Sequence, residues 1–140
     1  MIKKFSDIPS NNVFKLGLDI HGVIDKYPKE MSYISSAIIL SGGEVHIITG
    51  GSWNKELDDL LKKLNIKWTK IFSIYDHLVK IGEETDGIHT FPNGKIQKKF
   101  KSEIWDKAKS EYCLFNNISI HIDDNSLYGS FFKTPFAKMS

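Results

Sequence analysis

From Val13 to Ile20, apolar positions recur with a period of two, and Phe14, Leu16, Leu18 and Ile20 fall on one face, which predicts a strand. Gly22 and Pro28 punctuate the loop that follows. From about Lys29 to Leu40 the spacing becomes helical, with Met31, Ile34, Ala37 and Ile38 in step and Gly42-Gly43 as the stop. Glu44 to Ile48 is short, apolar and β-branched, as a buried parallel strand requires. Leu57, Leu60, Leu61 and Leu64 form the buried stripe of a second helix, with Ser52 as its expected N-cap. Thr69 to Ile74 predicts a third strand. Strand, helix, strand, helix, strand is the order of a parallel, doubly wound sheet.

The second half is less regular. Tyr75 to Ile81 has room for one or two helical turns. Between Gly82 and Lys101 the rhythm breaks, and Asn93-Gly94 between Phe91 and Ile96 predicts a two-residue hairpin turn. A helix is expected from about Ser102 to Phe115, with Trp105, Ala108, Tyr112 and Phe115 as its apolar face, followed by a strand over Ile118 to Ile122. The aromatic tail from Leu127 to Phe136 predicts an added edge strand or a short helix. Residues 1–140 thus read as a single domain of the α/β class, three-layered α/β/α and Rossmann-like, around a mainly parallel sheet. Residues 1–12 form a polar lead-in arm, and about 75–101 a small, hairpin-bearing, cap-like insertion.

Composition narrows the function classes. With 41% hydrophobic and 26% charged residues, the chain has ordinary globular character, and a net charge of +2 is too mild to imply a nucleic-acid binder by itself. Cys113 is the only cysteine, which excludes an internal disulfide, makes a reducing compartment the default and suggests a packed core thiol. Met1 to Ser10 lacks the apolar stretch of a secretion signal, and no run approaches the roughly 20 apolar residues of a membrane span, so a cytoplasmic protein is expected.

Three of the apolar runs end in polar clusters, and parallel strands would bring those ends to one sheet edge, where open α/β sheets hold ligands. Asp19 follows the first run, with Gly22 allowing a sharp turn beneath a ligand; such a carboxylate can ligate a hard cation or attack phosphorus, or simply cap a turn. Thr49-Gly50-Gly51-Ser52 closes the second run and opens a helix, which suits an anion, although a glycine-rich connection reads the same way. Asp123-Asp124 closes the last. Adjacent carboxylates repel unless a cation or a lysine neutralises them. Lys95, Lys98, Lys99, Lys101, Lys107 and Lys109 read first as a solvated face; one could reach the acids, or the group could form a nucleic-acid patch with Phe91, Phe100 and Trp105. His46 and His121 lie inside strands and read as structural, and no Cys/His spacing suggests zinc.

Together these clusters resemble the haloacid dehalogenase (HAD) superfamily of Mg2+-dependent phosphotransferases, from Val13 to about Phe132. Its Asp-x-Asp-Gly-(Thr/Val) motif is similar to Asp19-Ile20-His21-Gly22-Val23, its strand ending in Thr or Ser to Val45 to Thr49, and its acid-paired strand to Ile118 to Asp124. The lone lysine of its third motif corresponds to Lys109, with Lys107 as second choice. The resemblance implies a phosphatase in which Asp19 attacks phosphorus and forms an aspartyl-phosphate. It also implies Mg2+ held by Asp19, the His21 carbonyl and Asp123, supported by Asp124. Thr49 and the Gly50 amide would hold phosphoryl oxygens, and Lys109 would offset their charge.

Two departures stand out. Where the family's phosphatases carry an aspartate as acid/base, this chain has His21, whose side chain could protonate a leaving alcohol. The cap is also hairpin-sized, which suits an exposed or large phosphorylated substrate such as a nucleotide, with Tyr75, Phe91 and Trp105 near enough in sequence to stack on a base. The expected function is Mg2+-dependent phosphomonoester hydrolysis. Its rivals are a phosphate- or Mg2+-binding module without turnover, and a binder of nucleic-acid ends through Lys95 to Lys109. Oligomeric state is not readable from the sequence.

Overall fold

A computed structural model describes residues 13–139, so the expected arm over 1–12 lies outside the described residues. The first alternation yields strand β1 (Lys15–Leu18), shorter than Val13 to Ile20 because Ile20–Ile24 coils into a wide helical turn closed by Asp25 N–H on Ile20 O at 3.1 Å. Helix α1 (Pro28–Leu40) begins with proline, where the missing N–H costs nothing, and ends as the amides of Gly42 and Gly43 bond back to Ile39 O and Ile38 O. Strand β2 (Glu44–Thr49) follows, then helix α2 (Lys55–Lys63). Its N-cap is Asn54, which accepts from Leu57 N–H at 2.9 Å, and not Ser52, whose hydroxyl is engaged elsewhere by Asp76 at 2.7 Å.

Strand β3 (Lys70–Ser73) runs directly into helix α3 (Ile74–Lys80). The insertion is an antiparallel hairpin of β4 (Thr85–Thr90) and β5 (Ile96–Phe100). Its turn has three residues, Pro92-Asn93-Gly94, because Phe91 N–H bonds Lys95 O at 2.8 Å and Gly94 N–H bonds back to Phe91 O; the two-residue expectation is corrected. Helix α4 (Ser102–Phe115), strand β6 (Ile120–Asp123), the single turn α5 (Ser126–Gly129) and strand β7 (Phe136–Lys138) complete the chain. The aromatic tail therefore supplies both a short helix and an edge strand.

The class is α/β. Five strands form one parallel sheet in the order β3-β2-β1-β6-β7, with the hairpin as a separate two-stranded sheet. Side chains alternate across β2. Val45 and Ile47 join Leu16, Leu18, Met31 and Leu61 in the largest apolar cluster, whereas Ile48 packs with Cys113 and Ile118. A third cluster of Ile74, Leu78, Phe100 and Ala108 anchors the hairpin's base. Phe115, expected on the apolar face of α4, is 89% exposed at the helix end, and the buried positions there are Ala108, Lys109, Ser110 and Cys113. Among the described residues no helix is long and apolar enough to cross a membrane.

Candidate active site

Because β1, β2 and β6 run parallel, their C-terminal ends share one edge. Thr49 ends β2, Asp123 ends β6 and Asp19 follows β1. The Asp19 amide donates to Ile122 O at 3.0 Å, extending the β1–β6 pairing by one residue and fixing Asp19 beside Asp123. One carboxylate oxygen from each of Asp19, Asp123 and Asp124 lies within 4.8 Å of the others. Asp19 and Asp123 are buried and Asp124 is exposed. Asp124 comes this close because residue 22 is glycine: φ is +87°, and a Cβ there would collide with the Asp124 carboxylate.

Helix α4 delivers the cation. Lys109 is 1% exposed, and its ammonium donates to Asp19 Oδ1 at 3.0 Å and to Asp123 Oδ2 at 2.7 Å while lying 4.5 Å from the centroid of the Tyr128 ring. Of the two candidate lysines it is the one at the acids. Lys107 instead pairs with Glu103 at 2.7 Å on the surface. Tyr128 in turn accepts from Trp105 Nε1 at 3.3 Å, and Trp105 lies against Gly50. Asp123 also accepts from His121 Nε2 at 2.9 Å and from the Asn125 amide at 3.1 Å.

These contacts divide the two buried acids. Burial pushes the Asp19 carboxyl up to about 7, and the repulsion of Asp123 adds to this against the pull of Lys109. Burial works the same way on Asp123, but the His121 hydrogen bond and the Lys109 charge outweigh it and hold that carboxyl well below the usual range. For Lys109 burial disfavours the ammonium, yet Asp19 and Asp123 overcome it and its pKa is raised. One lysine against three carboxylates leaves negative charge in excess. An all-oxygen donor set of that kind fits a hard divalent cation.

Thr49 is buried at the same edge and Gly50 follows it, while among the described residues no hydrogen bond ties the Thr49 hydroxyl to the acids. The His21 ring is not brought into the carboxylate cluster. It is 70% exposed and its Nδ1 lies 3.1 Å from Asp25 Oδ2. Tyr75, considered for stacking, uses its hydroxyl to accept from the Lys98 amide at 3.3 Å; Phe91 lies against His89. Lys95, Lys98, Lys99 and Lys101 are exposed. Cys113 is fully buried, and burial pushes its thiol up to about 12, so it is no nucleophile.

From the sequence His46 and His121 both read as structural, and the structure separates them. His46 is satisfied at both nitrogens, by the Tyr112 hydroxyl at 2.7 Å and Glu44 at 2.8 Å, as a structural histidine should be. His121 instead contacts Asp123, and among the described residues its buried Nδ1 makes no side-chain hydrogen bond and lies against Gly17. The signal was available: residues two apart on a strand share a face. Gly17 makes room for the ring, since a Cβ there would stand 2.7 Å from Nδ1. Scanned against family models and searched against curated proteins and solved structures, the chain returns no match.

Proposed function

We propose that the protein is a Mg2+-dependent phosphomonoester hydrolase of the HAD type, with the three-layer, Rossmann-like architecture of that superfamily and an aspartyl-phosphate intermediate. The observation that carries this reading is the convergence of Asp19, Asp123, Asp124 and Lys109, drawn from three separate elements, at the C-terminal edge of the sheet. A surface ion pair needs no such burial, and a merely structural one would not gather a third carboxylate.

Asp19 is the nucleophile in this scheme. Its Oδ1 is held by Lys109, leaving Oδ2 to attack phosphorus in line with the leaving oxygen; the P–O ester bond breaks as the O–P bond to Asp19 forms. Water then attacks phosphorus and gives a proton to His21 Nε2 as the O–P bond to Asp19 breaks, which releases phosphate and restores the carboxylate. Lys109 offsets charge growing on the phosphoryl oxygens, and Thr49 with the following amides offers them hydrogen bonds. Asp19, Asp123, Asp124 and the His21 carbonyl would hold Mg2+, which supplies charge neutralisation at the phosphoryl group. His21, with Nδ1 turned to Asp25, keeps Nε2 for protonating a leaving alcohol. A phosphorylated small molecule or nucleotide is the substrate class we assign.

The exposed His21 ring, outside the cluster, is the observation that favours a phosphate- and Mg2+-binding module without turnover. One assay separates the two. Phosphate release from p-nitrophenyl phosphate and a panel of mononucleotides is measured with Mg2+ and with EDTA, for the wild type and Asp19→Asn. Mg2+-dependent release lost in the variant supports the enzyme. Ligand binding that survives in both proteins, with no release from either, supports the module.

A further inference from the structure

We propose that Asp76 and Ser73 are positioning residues that hold the Gly50–Trp53 turn so that the amides of Gly51 and Ser52 face the phosphoryl group. The inference rests on the phosphate-transfer reading above and deepens it by naming what shapes its anion-binding turn. The turn belongs to no helix or strand, yet four hydrogen bonds from the junction of β3 and α3 fasten it. Tyr75 N–H donates to Gly50 O at 3.0 Å and Ser73 Oγ donates to Gly51 O at 2.7 Å. Asp76 accepts from Ser52 Oγ at 2.7 Å and from Trp53 N–H at 2.8 Å. Ser73 Oγ also accepts from the Asp76 amide at 3.1 Å, joining the two anchors.

The direction of the amides follows from peptide geometry. A trans peptide is planar with its N–H opposite its C=O, and the chain has no cis peptide among the described residues. Since the carbonyls of Gly50 and Gly51 are tied to β3 and α3, the N–H groups of Gly51 and Ser52 point away from them. The other neighbour of β2 is β1, whose end carries Asp19. Among the described residues neither N–H donates to a protein acceptor, so both are available to an anion. Asp76 touches the turn only through Ser52 Oγ and Trp53 N–H, so its carboxylate fastens the turn without occupying those amides.

Alanine at 76 offers neither acceptor, so Asp76→Ala releases both Ser52 and Trp53. The test is titration of the Mg2+-loaded full chain with inorganic phosphate, followed by amide NMR. In the wild type the Gly51 and Ser52 signals are expected to move. In Asp76→Ala phosphate binding should weaken roughly tenfold, the scale of one or two lost hydrogen bonds, while the Mg2+ midpoint stays unchanged. Ser73→Ala should behave similarly, and Ser73→Thr, which keeps the hydroxyl, should bind as wild type. Should Asp76→Ala fail to fold, Ser52→Ala removes one of the same bonds and should weaken phosphate several-fold. Phosphate binding that leaves Gly51 and Ser52 unmoved, or that is equal in wild type and the variants, overturns the positioning role while the hydrolase reading stands. No phosphate binding by the wild type overturns both.

Discussion

Lys109 and Asp19 are 90 residues apart in the chain and 3.0 Å apart in the fold, ammonium nitrogen to carboxylate oxygen. Asp123 completes the contact at 2.7 Å, so a single buried cation holds together the ends of β1 and β6. Lys109→Met would leave two buried carboxylates facing each other, and stability should fall by about 3–5 kcal/mol, the usual cost of stranding a buried charge. Urea denaturation measures it. Saturating Mg2+ should return part of that loss, because a cation bound only by the folded state stabilises by mass action. A variant as stable as the wild type in EDTA would show that the acids do not depend on the lysine.

Gly22 tests the place of Asp124. Two effects act there, a positive φ and the approach of the carboxylate, and Gly82 separates them: its φ is +71° but nothing lies within 4 Å of a Cβ. Gly82→Ala should cost about 1–2 kcal/mol, the backbone effect alone. Gly22→Ala should cost more and should also reduce the rise in Tm that Mg2+ produces, since Asp124 is displaced. Identical Mg2+ titrations of the two variants would remove Asp124 from the proposed metal site.

Much of this is legible in the sequence. The alternation of β-branched and apolar residues placed the strands, and parallel order then put Asp19, Thr49 and Asp123 at one edge. The family resemblance points to Lys109 by its place ahead of the last strand, although a lysine on a buried helix face contradicts the apolar stripe that periodicity seeks. What failed was set by tertiary contact. Ser52 is a sound N-cap residue by type, but its hydroxyl finds Asp76, 24 residues later, and Asn54 caps instead. Nothing near Asp76 in the sequence announces that role. His121 was read as structural because a strand histidine usually is, although its period-two partner is Asp123.

Acid should destabilise the fold before any catalytic group is considered. Burial lowers the pKa of His46 and of His121, each against a partly compensating carboxylate bond. A depressed imidazole means that the unfolded chain binds the proton more readily, so stability is full above about 6.5 and declines as pH falls below it. Glu44, lowered chiefly by its hydrogen bond from His46, acts in the same direction at lower pH, its contribution lost as it becomes protonated. In Asp19→Asn, which removes the opposing proton uptake of the Asp19 carboxyl at about 7, Tm should therefore drop between pH 7.5 and 5.5. Adding His46→Gln, which cannot titrate, should make that drop shallower. An equal slope would place the proton uptake elsewhere.

The exposed ring of His21 is the part of the site whose chemistry differs most from an aspartate. Its Nδ1 meets Asp25 Oδ2, and Asp25 Oδ1 also accepts the Gly22 amide at 2.7 Å, so the imidazole is held at the turn that Asp124 packs against. A general acid matters most when the leaving group is basic. His21→Ala should thus lower kcat on alkyl phosphates on the order of 100-fold, the low end for acid–base catalysis, and on p-nitrophenyl phosphate far less. Asp25→Asn should reproduce a weaker form of the same selectivity, because it loosens the ring without removing it. Steady-state rates on a series of leaving groups measure the difference as a slope. A slope unchanged by His21→Ala would mean that the alcohol leaves with a proton from another source, and the ring would then serve binding alone.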